Sequence, residues 1–246
     1  MTALLGVGAA VVVLLLVTVA TARRPAAAVL PKAAYLDRWS VLHGGYDPRR
    51  ALLVRGWLAA TYAVGHPLAS AGVRPDLLTL WGVAVGGGVV LLAGAGGGWW
   101  LLAAAAAVVI TGLLDGLDGC VAVLTDRAGR FGFVLDSVAD RVVDGLYLLA
   151  LWRVGAPASL CVSAAAAVAL LEYTRARAGQ AGMAEIGVVT VGERPTRVVV
   201  AAVMLAAAGA IPAQSSTVAS FGAVALVALS LVALGQLLVV VRRILR

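Results

Sequence analysis

From Trp99 to Leu151 the chain reads WWLLAAAAAVVITGLLDGLDGCVAVLTDRAGRFGFVLDSVADRVVDGLYLLAL. Two apolar runs, about 98–117 and 131–151, each approach the roughly 20 residues with which a helix spans a bilayer. Asp115 and Asp118 stand at the end of the first run, Asp136, Asp140 and Asp144 within the second, and a short turn separates the two groups. Asp115 and Asp118 are spaced i, i+3 and Asp136 and Asp140 i, i+4, so each pair projects from one face of its helix. Two neighbouring antiparallel helices would point these pairs at each other near one membrane boundary. Acids in a spanning helix are costly, and those found there usually serve a site.

The rest of the chain has the same character. Hydrophobic residues make up 62% of 246 and charged residues 13%, against about 45–50% and about 25% in soluble domains. Further apolar runs cover about 77–95, 156–173, 196–212 and 218–241. Backbone in lipid must satisfy its own hydrogen bonds, so such runs are helices. The expected fold is an all-α integral membrane protein. Residues 75–246 hold a six-helix transmembrane core, and 1–22 an additional N-terminal transmembrane helix. Between them, 23–74 is a cytoplasmic segment carrying a juxtamembrane amphipathic helix. That helix is expected over 49–64 (RRALLVRGWLAATYAV), with Leu52, Leu53, Trp57, Leu58 and Tyr62 toward lipid and Arg50 and Arg55 toward phosphate headgroups. Pro67 is expected to end or kink it. Glycines at 86–88 and around 94–98 suit close helix approach or a tight turn, and Trp99 and Trp100 suit the interfacial belt.

The net charge of +7 points to topology in such a chain, not to nucleic acid. Placing 23–74, 123–130, 174–195 and the C-terminal tail inside puts all but Arg141 and Arg153 of the 19 basic residues at the cytoplasmic side, Arg197 lying just within the fifth core helix. The N-terminus is then outside and the C-terminus inside, with a bacterial plasma membrane the expected location. The run 3–22 has no basic residue before it and Arg23-Arg24 after it. That is the charge order of an uncleaved helix, although Ala20-Thr21-Ala22 mimics a cleavage site. Cys120 and Cys161 form no disulfide framework or CxxC pattern and are expected to be packing residues. His43 and His66 lack a ligand partner at close spacing, and Asp126 belongs to a solvated turn.

Four converging carboxylates repel one another unless a cation joins them. Oxygen-only ligands at this density suit Mg²⁺ or Mn²⁺, which take carboxylates together with water and substrate phosphate. The rival reading pairs these acids with arginines, and Arg141 is the natural partner of Asp144. Gly119, directly after Asp118, and Gly132, one turn before Asp136, leave room for a diphosphate to approach the backbone.

With these residues the chain resembles the CDP-alcohol phosphotransferases, whose signature is D-x2-D-G-x2-A-R-x8-G-x3-D-x3-D. Asp115, Asp118, Gly119, Ala122, Gly132, Asp136 and Asp140 match in identity and spacing. The signature arginine is replaced by Val123, and Arg127 and Arg130 are the nearby candidates to substitute for it. Pro75-Asp76-Leu77-Leu78-Thr79 is similar to the family's Pro-Asn-x-Leu-Thr, and the likeness covers roughly 50–241. The resemblance implies transfer of a phosphatidyl group from CDP-diacylglycerol to an alcohol, releasing CMP, in phospholipid biosynthesis. It implies metal ligation by Asp115, Asp118 and Asp136, and Asp140 as metal ligand or general base. Gly119, Ala122 and Gly132 would line the nucleotide. The family commonly dimerises, so a homodimer is carried forward with it.

A second polar group comprises Glu172, Arg175, Arg177, Glu193, Arg194 and Arg197. Arg194 and Arg197, spaced i, i+3 at a helix N-terminus, suit a phosphate. The Glu-Arg-Pro-x-Arg segment resembles that of phosphatidylinositol-phosphate synthases and hints at a phosphorylated acceptor. Contact with lipid headgroups is the alternative. Two rival functions stand beside the enzyme: a catalytically silent relative, suggested by Val123, and a cation-coupled transporter, which would place its acids nearer the midplane.

Overall fold

The structure is a computed structural model that describes residues 12–20, 22, 29–183 and 189–246. Every regular element among the described residues is helical, as the all-α reading expects. Residues 12–20 form α1. Residues 3–11 of the apolar run 3–22, Thr21 and the Arg23-Arg24 pair lie outside the described residues. There follow α2 (Lys32–Leu42), α3 (Leu52–Ser70), α4 (Pro75–Gly94), α5 (Trp99–Leu124), α6 (Arg130–Val154), α7 (Ala158–Gln180), α8 (Arg194–Ala210) and α9 (Ser215–Ile244). Short 3₁₀ turns at Pro48–Arg50 and Pro212–Gln214 precede α3 and α9.

Among the described residues three stretches are long and apolar enough to cross a membrane: Pro75–Gly94, Trp99–Leu124 and Pro212–Ile244. α6 and α7 have comparable length, but Asp136, Asp140, Arg141 and Asp144 interrupt the first, and Glu172, Arg175 and Arg177 the second. α5 continues to Leu124, beyond the end of its apolar run at 117. Cys120, Val121, Val123 and Leu124 are buried in that last part, and the burial offsets the two aspartates that precede it.

The chain divides into two compact units. The first takes 1–84 and 110–140, the second 85–109 and 141–246, so α4, α5 and α6 each contribute to both. In the first unit α3 buries Leu58, Thr61, Gly65 and Ala69 along one stripe. A Cβ on Gly116 of α5 would sit 2.5 Å from the Trp57 ring, so the two helices meet only because that position has no side chain. This corrects the expected lipid face of α3. Leu52 and Leu53 are exposed, whereas Leu58 belongs to the core. Pro67 does not end the helix, which runs on to Ser70. The buried Ala69 and the Ser70 hydroxyl, donating to the His66 carbonyl at 2.8 Å, hold the last turn together.

In the second unit α7 and α8 pack on α9, which buries Ala219, Gly222, Ala223, Leu226, Ser230, Ala233 and Leu237 on one face. A Cβ on Gly209 of α8 would stand 2.8 Å from the Gly98 carbonyl oxygen. The glycine-rich turn before α5 therefore serves close helix approach, as its composition suggests.

Candidate active site

α5 ends in a Schellman motif. Arg127 N–H donates to the Ala122 carbonyl at 2.8 Å and Asp126 N–H to the Val123 carbonyl at 3.3 Å. Asp126 sits at φ 51°, in the left-handed region that Asp tolerates better than most side chains. The link 125–129 is short enough to bring the ends of two acid-bearing helices together.

Three of the four signature aspartates converge. One carboxylate oxygen from each of Asp115, Asp118 and Asp136 lies within 4.8 Å of the others. At an effective dielectric near 20 each such pair of charges repels by about 3 kcal/mol, so the trio together approaches the whole stability of a typical domain. A bound cation removes that repulsion. The donor set is all oxygen and leaves positions for water and phosphate, so it fits Mg²⁺ or Mn²⁺. Asp140 is half-buried one turn beyond Asp136 and lies outside the trio.

Asp118 is buried, and its Oδ2 accepts a hydrogen bond from Thr79 Oγ1 at 2.6 Å. The same hydroxyl lies 3.4 Å from the Pro75 carbonyl. It has one proton, and the shorter bond to a charged acceptor wins it. The charged groups acting on Asp118 are Asp136 and Asp76, both acidic. Thr79 was visible in the Pro75–Thr79 segment, but its bond to a residue 39 positions away was not. A Cβ on Gly119 would meet nothing within 4 Å, and one on Gly132 would stand 3.7 Å from Asp76 Oδ1 in ordinary contact. Protein packing requires neither glycine, and both leave space beside the carboxylates. Ala122, one turn after Asp118, is half-buried, while Arg127 and Arg130 are exposed.

The second unit holds a different cluster. Arg197, 3% exposed in its side chain, meets Asp144 Oδ2 at 3.2 Å and Glu172 Oε1 at 3.1 Å, and donates to the Gly192 carbonyl at 2.5 Å. Arg141 bridges the same two acids at 3.1 and 2.9 Å, so the expected Arg141–Asp144 pair is present. Arg175 grips Glu193 with two bonds of 2.7 and 3.0 Å, and Thr190 adds its N–H and hydroxyl, each at 2.9 Å. Arg194 stands one helical turn before Arg197 at the start of α8. Cys120 and Cys161 are buried free thiols. His43 is exposed and stacks on Trp39 with ring centroids 3.7 Å apart.

The model of the CDP-alcohol phosphatidyltransferase domain matches residues 73–243. The chain belongs to this family. It is a membrane enzyme of phospholipid synthesis that transfers a phosphatidyl group from a CDP-linked lipid to an alcohol. Among solved structures the transferase is similar to the phosphatidylinositol phosphate synthase (PgsA1) of Mycobacterium tuberculosis. With CDP-DAG bound, that protein matches at 26% identity and a TM-score of 0.58, over 74% of this chain and 92% of the other. In complex with manganese and citrate it matches at 26% identity and a TM-score of 0.57, over 74% and 88%. No curated protein matches the chain by sequence.

Proposed function

We propose that the transferase uses CDP-diacylglycerol as donor and a phosphorylated alcohol as acceptor, releasing CMP at the cytoplasmic face of a bacterial plasma membrane. The convergence of Asp115, Asp118 and Asp136 within 4.8 Å carries the proposal. These residues hold Mg²⁺ or Mn²⁺, in keeping with the manganese and CDP-DAG complexes of the mycobacterial synthase. When bound, the metal neutralises the diphosphate and the charge developing on CMP. Thr79 fixes the rotamer of Asp118. Gly119, Ala122 and Gly132 leave the nucleotide and its phosphates room to approach the backbone. Asp140, outside the trio, takes the proton of the acceptor hydroxyl.

The Glu193-Arg194-Pro195-Thr196-Arg197 segment, which resembles that of phosphatidylinositol-phosphate synthases, supports an acceptor that carries its own phosphate, such as inositol phosphate or glycerol phosphate. Arg197 is committed to Asp144, Glu172 and Gly192. It therefore positions the group, and Arg194, at the N-terminus of α8, is placed to meet the phosphate. A homodimer with external N-termini and cytoplasmic C-termini completes the reading.

The test is a product identified by mass spectrometry. Purified protein is incubated with CDP-diacylglycerol, a panel of free and phosphorylated alcohols, and Mg²⁺ or Mn²⁺. A phosphorylated lipid and CMP are expected, and Asp140→Asn should abolish both while leaving the protein inserted. No product with any acceptor under either metal would overturn the assignment.

A further inference from the structure

Val123 stands where the family signature carries arginine, and the structure shows what surrounds it. The side chain is 6% exposed and belongs to an apolar cluster with Tyr35, Leu58, Leu78 and Leu124. Val29, Leu30, Leu36 and Trp39 pack against the same cluster. Tyr35 is 1% exposed and shares the cluster with Cys120. Tyr35, Leu30 and Trp39 all come from residues 29–42, ahead of the region 73–243 that the family model covers.

Two polar ties fasten this segment to the end of α5. Leu30 N–H donates to the Leu124 carbonyl at 3.2 Å, one of the last carbonyls that an α-helix cannot satisfy internally. Arg38 Nη2 pairs with Asp126 Oδ1 at 3.0 Å, on the left-handed residue of the Schellman turn. That exposed pair is weak by itself. It matters as a register contact beside the apolar seating. The apolar seating and both ties thus bear on the last turn of α5 and on the link to α6.

We propose that residues 29–42 are a built-in brace that seats on Val123, fixes the α5–α6 turn, and thereby holds Asp118 and Asp136 at their working separation. Valine at 123 is the condition for that seating, because an arginine there would put a guanidinium among buried apolar side chains, at a cost unless it found a partner. Val123 and Tyr35 are positioning residues and touch no substrate.

Amide hydrogen exchange and Mn²⁺ binding on the purified full-length protein in detergent test this. Val123→Arg attacks the seating from α5, Tyr35→Ala attacks it from the brace, and Val123→Ile is the conservative control. The first two should accelerate exchange in 29–42 and 125–129 by about tenfold or more, with α9 unchanged. They should also weaken binding of Mn²⁺ alone by about tenfold, and the double variant should be no worse than either single one. Val123→Ile should behave as the unaltered protein. Should Val123→Arg fail to fold, Tyr35→Ala still decides.

The proposal is overturned if 29–42 stays protected in these variants, or if exchange rises while Mn²⁺ affinity holds. A gain of product in Val123→Arg overturns it too, since the chain would then simply lack the family's arginine. The Mn²⁺ arm rests on the metal-site reading. Failure of the unaltered protein to bind Mn²⁺ would sink that reading alone, and exchange would still judge the seating.

Discussion

Asp118 and Asp144 are buried to nearly the same degree, 6% and 5% exposed, but their surroundings are opposite. Asp118 accepts from a neutral hydroxyl, and the charges acting on it are acidic. Asp144 meets two guanidiniums, from Arg141 at 3.1 Å and Arg197 at 3.2 Å. The first arrangement sets acid beside acid. The second already sets cations against its acid. Burial therefore does not tell a site from a structural ion cluster, whereas the sign of the neighbouring charge does. The sequence pattern alone, aspartates at helical spacing in apolar runs, is shared by both.

The contrast is broken most easily at its largest effect. Asp118→Asn removes one carboxylate of the trio proposed to hold the metal and should lower product formation by about 10³-fold or more. In EDTA it should not lower the unfolding temperature, because it also removes repulsions of about 3 kcal/mol each. Asp144→Asn should do the reverse to stability. It takes one of two acidic partners from the buried Arg197 and the half-buried Arg141, leaving both on Glu172, and should cost about 3–5 kcal/mol with or without metal, read as a fall in unfolding temperature in detergent. An Asp144→Asn protein as stable as the parent, or an Asp118→Asn protein that unfolds in EDTA, would erase the distinction.

How much of this was legible beforehand follows the range of the interactions. The all-α membrane architecture was written in apolar runs, and the spacing of Asp115, Asp118 and Asp136 on two adjacent helices anticipated their convergence, because helical periodicity and a short turn are local properties. The end of α5 was misread at 117, since hydropathy falls at the aspartates while packing by Cys120, Val121 and Leu124 carries the helix on to Leu124. Leu58 was assigned to lipid because amphipathicity marks an apolar face but not what covers it. Thr79–Asp118, Arg197–Glu172 and Leu30–Leu124 join residues far apart in sequence, and no local pattern marks any of them.

Thr79 sharpens the comparison on a finer scale. Thr79→Val keeps the shape and removes the donor to Asp118. Mn²⁺ affinity, measured without substrate, should weaken by about tenfold, while stability changes by about 1 kcal/mol. Thr79→Ser should restore most of the affinity, because its hydroxyl can make the same bond. If Thr79→Val binds Mn²⁺ as the parent does, Asp118 is held by something other than this hydrogen bond.

The smallest effect lies in the second cluster. Burial alone would push the Glu193 carboxyl upward, but the two Arg175 bonds and the N–H and hydroxyl of Thr190 outweigh it and hold the group below its ordinary 4.5. A carboxyl depressed in the folded state contributes stability that is fully present above its unfolded value. That contribution is lost as pH falls through the lower folded value. Glu193→Gln should therefore cost about 1–2 kcal/mol near neutrality. The gap in unfolding temperature between parent and variant should close progressively below pH 4.5. Because Gln fills nearly the same volume, a gap that stays open in acid would mean that Glu193 acts through shape and not charge, and the second cluster would lose its standing as an electrostatically paired counterpart of the first.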